Sequence, residues 1–151
     1  MPDYRTIVVP YDFSAHAQTA LETAVDLAGK LGADLKLVHI VQSPLAIYGL
    51  PYPEGATVIP PIDMGEIREG CLKSLREVVA AVDAPGKIEA HVAEGLSIAE
   101  TLRTTSEKLG ADLIIMGTHG RTGVAHAFLG SVAERILRTV SCPVLTVKAQ
   151  E

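Results

Sequence analysis

Cysteine is scarce in this chain: only Cys71 and Cys142 occur, with no C-x-x-C pair and no framework spacing. That excludes a disulfide scaffold and a zinc knuckle, fits a reducing cytosol, and leaves packing as the role of both thiols. Positive charge is not in excess either. Lys and Arg number 13 against 18 Asp and Glu, a net charge of −5 with a pI near 5.5. The chain therefore lacks the global basic field that holds phosphate backbones or anionic lipid, so neither nucleic acid nor a membrane is an expected partner. Long hydrophobic runs are missing too. Leu37 to Pro53 carries no formal charge, but His39, Gln42, Ser43, Pro44 and Pro51 interrupt it, so it cannot form a spanning helix. The opening Met1-Pro2-Asp3-Tyr4-Arg5 runs straight into Thr6-Ile7-Val8-Val9 with no signal-type apolar region, and a cytoplasmic location is expected. Two common nucleotide motifs are also absent. There is no G-x-x-x-x-G-K-[ST], and the first apolar run is followed by Tyr11-Asp12-Phe13 rather than G-x-G-x-x-G, which excludes a P-loop NTPase and a Rossmann dehydrogenase.

What remains is apolar enough to fold. Hydrophobic residues make up 48% of 151 and mean hydropathy is +0.27, which fits one globular domain with a buried sheet. Short β-branched runs alternate with longer segments of helical period, the pattern of an α/β fold. Strands are expected at Thr6 to Pro10, Leu35 to Val41, Lys87 to Ala93, Leu113 to Met116 and Val144 to Val147. Ser14 is placed to cap a helix whose stripe is Ala17, Ala20, Leu21, Ala24, Leu27, Ala28 and Leu31, with Gly32 ending it. A second helix, Asp63 to Val82, places Met64, Ile67, Cys71, Leu75, Val78 and Val82 on one face. Ser97 and Glu100 form a capping-box pattern for a third, which runs to Leu109 before Gly110, and Ser131 to Thr139 is a fourth. The hexapeptide Lys30-Leu31-Gly32-Ala33-Asp34-Leu35 recurs identically as Lys108 to Leu113, so one helix-to-strand turn is used twice. Five strands and four helices imply a doubly wound, three-layer parallel sheet. The strand orders 2-1-3-4-5 and 3-2-1-4-5 both satisfy the string of elements.

Chemistry concentrates after the fourth strand, in Gly117-Thr118-His119-Gly120-Arg121-Thr122-Gly123 and then Gly130-Ser131-Val132 at a helix start. Glycines allow backbone N–H groups close to an anion and the helix start adds positive dipole, an arrangement suited to phosphate. Between Gly117 and Ala133 the only formal charge is Arg121. Three or four N–H groups on phosphate oxygens, at about 1.5–3 kcal/mol each, bring micromolar affinity within reach. The alternative is a long turn closed by a Ser131/Glu134 capping box. Asp12, directly after the first strand, can bind a ribose hydroxyl or a magnesium ion, or serve only as helix N-terminal charge. His119 and His126 do not have a recognised metal-ligand spacing, and no metal site is expected there.

The spacing Gly117-x2-Gly120-x9-Gly130-Ser131 resembles the ATP-binding signature of the universal stress protein family, and the resemblance spans nearly the whole chain. It includes Val9-Pro10-Tyr11-Asp12-Phe13-Ser14, Val38-His39-Ile40-Val41 and Ser141-Cys142-Pro143-Val144. The resemblance implies strand order 3-2-1-4-5, with ATP across the switch point; a Mg2+ ion accompanying ATP is what the Asp12 carboxylate allows. Pro10 and Asp12 would lie beside the nucleoside, and Ile40 would offer its backbone to the adenine edge. Gly117, Gly120, Gly130, Ser131 and Val132 would hold ribose and phosphates, with His119 and Arg121 as phosphate neighbours. Tyr11, an aromatic between Pro10 and Asp12, departs from the pattern, and its direction is open. A stress-linked regulator or sensor is implied, with at most slow ATP hydrolysis and no catalytic residue assigned.

A hydrolase is the rival, since Gly95-Leu96-Ser97-Ile98-Ala99 nearly spells G-x-S-x-G. Ala99 in the last place and the capping role of Ser97 speak against it; Asp12 is the other acid such an enzyme could use. A dimeric interaction module of the same fold without nucleotide is the remaining alternative. Gln42 to Ile62 holds 5 of the 9 prolines with Glu54 as its only charge, too apolar for a solvated linker, so it is expected to fold against the crevice or a neighbouring subunit. The last strand, Val144 to Val147, is an uncharged edge, which points to a homodimer.

Overall fold

The computed structural model describes residues 3–44, 62–120 and 129–149. The strands are β1 (Thr6–Pro10), β2 (Asp34–Gln42), β3 (Ile88–Gly95), β4 (Leu113–Gly117) and β5 (Val144–Val147), and the helices α1 (Ala15–Leu31), α2 (Met64–Ala81), α3 (Ile98–Lys108) and α4 (Ser131–Thr139). All pairings are parallel and the order is 3-2-1-4-5. The register resolves the choice that periodicity left open, in favour of the order implied by the family resemblance. β1 is central, and Ile7, Val8 and Val9 are fully buried on alternating faces, as a continuous apolar run in a doubly covered strand requires.

Side-chain parity sorts the core into two layers. Ile7, Val9, Leu35, Leu37, Leu113 and Ile115 pack with α1 and with Leu75 of α2. Val8, Val38, Ile114 and Met116 pack with Ala99 and Leu102 of α3 and with Ala133 and Ile136 of α4. Two helices cover each face, and the winding reverses between β1 and β4.

Local chemistry sets the helix ends. Ser14 accepts a hydrogen bond from the Ala17 N–H at 3.1 Å and starts α1. The repeated hexapeptide folds the same way twice: Gly32 and Gly110 have φ of +66° and +68°. Ala33 N–H donates to the Ala28 carbonyl and Ala111 N–H to the Ser106 carbonyl, each at 3.0 Å, which is the Schellman closure. Asp34 and Asp112 N–H groups then bond the Arg5 and Thr6 carbonyls, delivering β2 and β4 to opposite sides of β1.

Three expectations need correction. Leu31 is 45% exposed and leaves the α1 stripe: it is the last residue of the helix, where Gly32 turns the chain toward β2. On α2 only Leu75 is buried, and Ile67 is 39% exposed, so the expected apolar face touches the core only in its C-terminal half. β3 runs on past Ala93 because Glu94 and Gly95 still pair with Val41 and Gln42. Most of the proline-rich connection lies outside the described residues.

Candidate functional site

The crevice opens where β1 and β4 end side by side. β1 stops at Pro10 while β2 continues to Gln42, and the last rung between them is Tyr11 N–H to the Val38 carbonyl at 2.8 Å. Backbone groups two residues apart on a strand point the same way, so the N–H and C=O of Ile40 face the side on which β1 has run out. Asp12 follows, and its Oδ1 accepts from the Ser14 N–H at 3.0 Å in an Asx turn. Phe13, between them, is held at φ +63°, in the left-handed region.

Tyr11 turns away from the crevice. Its ring is buried and its hydroxyl donates to Gln18 Oε1 at 2.8 Å; burial first, then the carboxylates of Asp12 and Glu22, push its phenol up from 10.0. His39 Nδ1 lies 2.7 Å from the Tyr11 carbonyl, and the Phe13 ring stands edge-on to both, with centroids 5.2 Å from Tyr11 and 5.1 Å from His39. These contacts fix the β1–α1 turn and so the position of Asp12.

On the β4 side, a Cβ at Gly117 would lie 2.9 Å from His16 Cβ and 3.0 Å from the His16 carbonyl. Glycine there lets the first turn of α1 cross the end of β4. Thr118 is buried, its N–H donates to the Val147 carbonyl at 3.0 Å, and its carbonyl accepts from the Gly130 N–H at 2.7 Å. The last pair ties the loop at its neck, where a Cβ on Gly130 would meet the Thr118 carbonyl oxygen at 3.1 Å. A Cβ on Gly120 would meet Asp12 Oδ2 at 2.9 Å, so the two turns touch across the crevice. His119 Nδ1 is 3.1 Å from Thr118 Oγ1, and its ring centroid is 5.5 Å from that of His16.

α4 begins with Gly130 as its N-cap, at φ −69° and ψ 154°, with no side-chain cap. The first helical bond is Glu134 N–H to the Gly130 carbonyl at 2.9 Å, so the N–H groups of Ser131, Val132 and Ala133 lead out of the helix end. The Ser131/Glu134 capping box does not form: Ser131 is the first helical residue, one place too late to cap, and Glu134 pairs with Arg138 at 2.7 Å. Gly130's own N–H is spent on the neck.

Around the ends of β1 and β4 the fold thus gathers Pro10, Asp12, Ile40, Gly117, His119, Gly120, Gly130, Ser131 and Val132; Arg121 lies outside the described residues. Sequence reasoning missed His16 and Thr118. The first sits in the opening turn of α1 and the second inside the glycine signature, but neither carries a motif role. Ser97 is remote from this crevice, at the start of α3 beyond edge strand β3, where its hydroxyl accepts from the Glu100 N–H at 3.4 Å. The Glu100 carboxylate binds Arg103 at 2.6 Å instead of closing the box. Both cysteines are half-buried and free, and burial pushes the Cys142 thiol up from 9.0. Among the described residues no cluster of three or more His, Cys, Asp or Glu could hold a metal, and no helix is long and apolar enough to cross a membrane.

Residues 3–148 match the family model of the universal stress protein family. The chain belongs to this family. A universal stress protein of Methanocaldococcus jannaschii is 35% identical over 147 residues, covering 96% of this chain and 82% of that protein. The crystal structure of a universal stress protein family member from Burkholderia pseudomallei superposes with a TM-score of 0.70 at 29% identity, over 97% of this chain and 98% of that one. A universal stress protein solved in complex with cAMP has the same fold, with a TM-score of 0.66 at 23% identity over 98% and 99% of the two chains. So does one from Archaeoglobus fulgidus in complex with dAMP, with a TM-score of 0.56 at 21% identity over 97% and 99%. In this universal stress protein the signature glycines accordingly serve packing as well as any ligand: two of them leave room for backbone, at His16 and at Thr118.

Proposed function

We propose that this universal stress protein binds ATP at the β1–β4 switch point and works as a nucleotide-dependent regulator or sensor in the stress response. The observation that carries the reading is the bare start of α4. Its first N–H groups open beside a neck built from glycine, and among the described residues no side chain caps them, which is the environment an anion requires. Phosphates fit there, on Ser131, Val132 and Gly120, with His119 and Arg121 near. Pro10 and Asp12 fit the nucleoside and the backbone of Ile40 an adenine edge; Asp12 is also the carboxylate nearest the phosphates, and so the group to share a Mg2+. The cAMP and dAMP complexes of relatives support an adenine nucleotide as the ligand class. Regulation is favoured over fast catalysis because the hydroxyl–imidazole pair of the crevice, Thr118 Oγ1 with His119 Nδ1, has its threonine buried and tied into the neck of the loop. The reading extends to a homodimer paired through β5 and to a cytoplasmic location.

Calorimetric titration with ATP tests it. Saturable binding in the micromolar range is expected for the wild type. Ser131→Glu should weaken it at least about tenfold, because a carboxylate takes the N–H groups that phosphate needs. Ser131 is exposed, and a negative charge in the first turn stabilises a helix by about 0.3–1 kcal/mol, so loss of affinity cannot be attributed to unfolding. Equal affinity in the two proteins rejects the reading.

A further inference from the structure

We propose that ATP binding at this site is coupled to the uptake of one proton by His119, with the Thr118 hydroxyl as its switching partner and His16 held neutral beside it. The proposal rests on the nucleotide reading above and adds to it a positioning role for two residues that no motif marks.

The asymmetry between the two imidazoles carries the argument. His16 Nδ1 is buried and has no hydrogen-bond partner among the described residues. A buried N–H without an acceptor is less tolerable than a buried lone pair without a donor, so the neutral ring keeps its hydrogen on Nε2 and leaves Nδ1 bare. Protonation of His16 would add the second hydrogen at Nδ1, where no described residue is placed to receive it. His119 has the opposite surroundings. Its Nδ1 lies 3.1 Å from Thr118 Oγ1, and a hydroxyl can either donate or accept. With His119 neutral, Thr118 O–H donates to Nδ1. When a proton from solvent adds to Nδ1, the hydroxyl rotates and accepts the new N–H. Thr118 is a fixed base for this exchange, buried and held by hydrogen bonds to Val147 and Gly130.

Electrostatics supplies the coupling. An ordinary imidazole titrates near 6.5, and polyphosphate charge arriving beside one favours the imidazolium. Two imidazoliums with centroids 5.5 Å apart would repel, and His16 also sits at the positive start of α1, so the pair accepts one proton and His119 is its site. The surrounding elements carry Asp12 on the β1–α1 turn, Glu22, Asp26 and Lys30 further along α1, Lys148 just past β5, and, on α4, Arg135 and Glu134, whose carboxylate is turned to Arg138; Arg121 follows in sequence outside the described residues. These charges are present whether or not ATP is bound, so the change on binding comes from the phosphates. Acidification would then tighten nucleotide binding, a property suited to a stress sensor.

The test is calorimetry of ATP binding to the full chain near pH 7 in buffers of different ionisation enthalpy. The wild type should take up roughly half a proton to one proton more per ATP than His119→Gln. Its affinity should rise by up to about tenfold per unit as pH falls from about 8 to about 6, a rise that the variant lacks. Thr118→Val, which removes the accepting hydroxyl at similar volume, should lower the uptake; His91→Gln, on edge strand β3 and turned to Glu89, should retain it. Imidazole resonances followed by NMR in the wild type give a test independent of any variant: ATP should raise the titration midpoint of His119 and leave that of His16 in place. Equal proton counts in wild type and His119→Gln, or a raised midpoint on His16 alone, overturn the proposal. A wild type that does not bind ATP overturns the nucleotide reading instead, and this one with it.

Discussion

A methyl group at Gly117 would strike the carbonyl carbon and oxygen of His16 at 3.0 Å, main-chain atoms of a packed helix that cannot step aside. At Gly120 it would meet a single carboxylate oxygen of Asp12, a side-chain atom that needs to shift by only a few tenths of an ångström while Oδ1 keeps its bond to the Ser14 N–H. Gly117→Ala should therefore cost about 1–3 kcal/mol in urea unfolding, the range for overpacking, while Gly120→Ala stays within about 0.5 kcal/mol; similar losses in the two would refute this division. The spacing of the glycines was legible in the sequence, but their separate reasons were not, because spacing says nothing about which atoms lie across the fold. Glu89 likewise reads as an ordinary surface carboxylate until β2 and β3 pair. Lys36, then Lys87, both at 2.5 Å, and His91 at 3.2 Å, then hold it at about 2, well below its usual 4.5. A carboxyl depressed in the folded state contributes stability above its unfolded value and loses it as pH falls through the folded one. Unfolding followed between about pH 5 and pH 2 should accordingly show a steeper loss of stability in the wild type than in Glu89→Gln.

At the scale of the element, the four described helices start in two ways. Ser14, Asp63 and Ser97 each accept from an N–H of the following turn, whereas Gly130 offers no side chain at all. A capped start needs no ligand; the bare one faces the crevice. Ser97→Ala should lower stability by about 0.5–1 kcal/mol, at the modest end because its bond is 3.4 Å long, and should leave ATP affinity unchanged. A selective loss of nucleotide binding or turnover in that variant would revive a hydrolase centred on Ser97. The Ser14 and Ser97 caps and the twin Schellman turns could be read in advance because they are decided within six residues. The face of α2 could not: period alone identifies its apolar side, but whether Ile67 meets a partner depends on how far the sheet extends beneath it.

For the whole molecule, the order of strands depends on contacts far apart in sequence, which is why periodicity left two orders open and the β1–β4 register decided between them. That order makes β3 and β5 the edges, and they are built differently. β3 carries the charges of Glu89 and Glu94, which discourage another strand from adding. β5 carries none, and Leu145 on it is 38% exposed. The carbonyls of Pro143 and Val147 accept from β4, so by strand parity Val144 and Thr146 turn their N–H and C=O groups to the open side. A second copy can pair there without disturbing the β4–β5 ladder. Thr146→Pro deletes one outward N–H and no inward one, a substitution that edge strands tolerate. It should therefore give a folded monomer in sedimentation velocity where the wild type sediments as a dimer. If the wild type is itself monomeric at micromolar concentration, or if Thr146→Pro remains a dimer, then β5 is not the dimer interface, and some other cover must account for its uncharged edge.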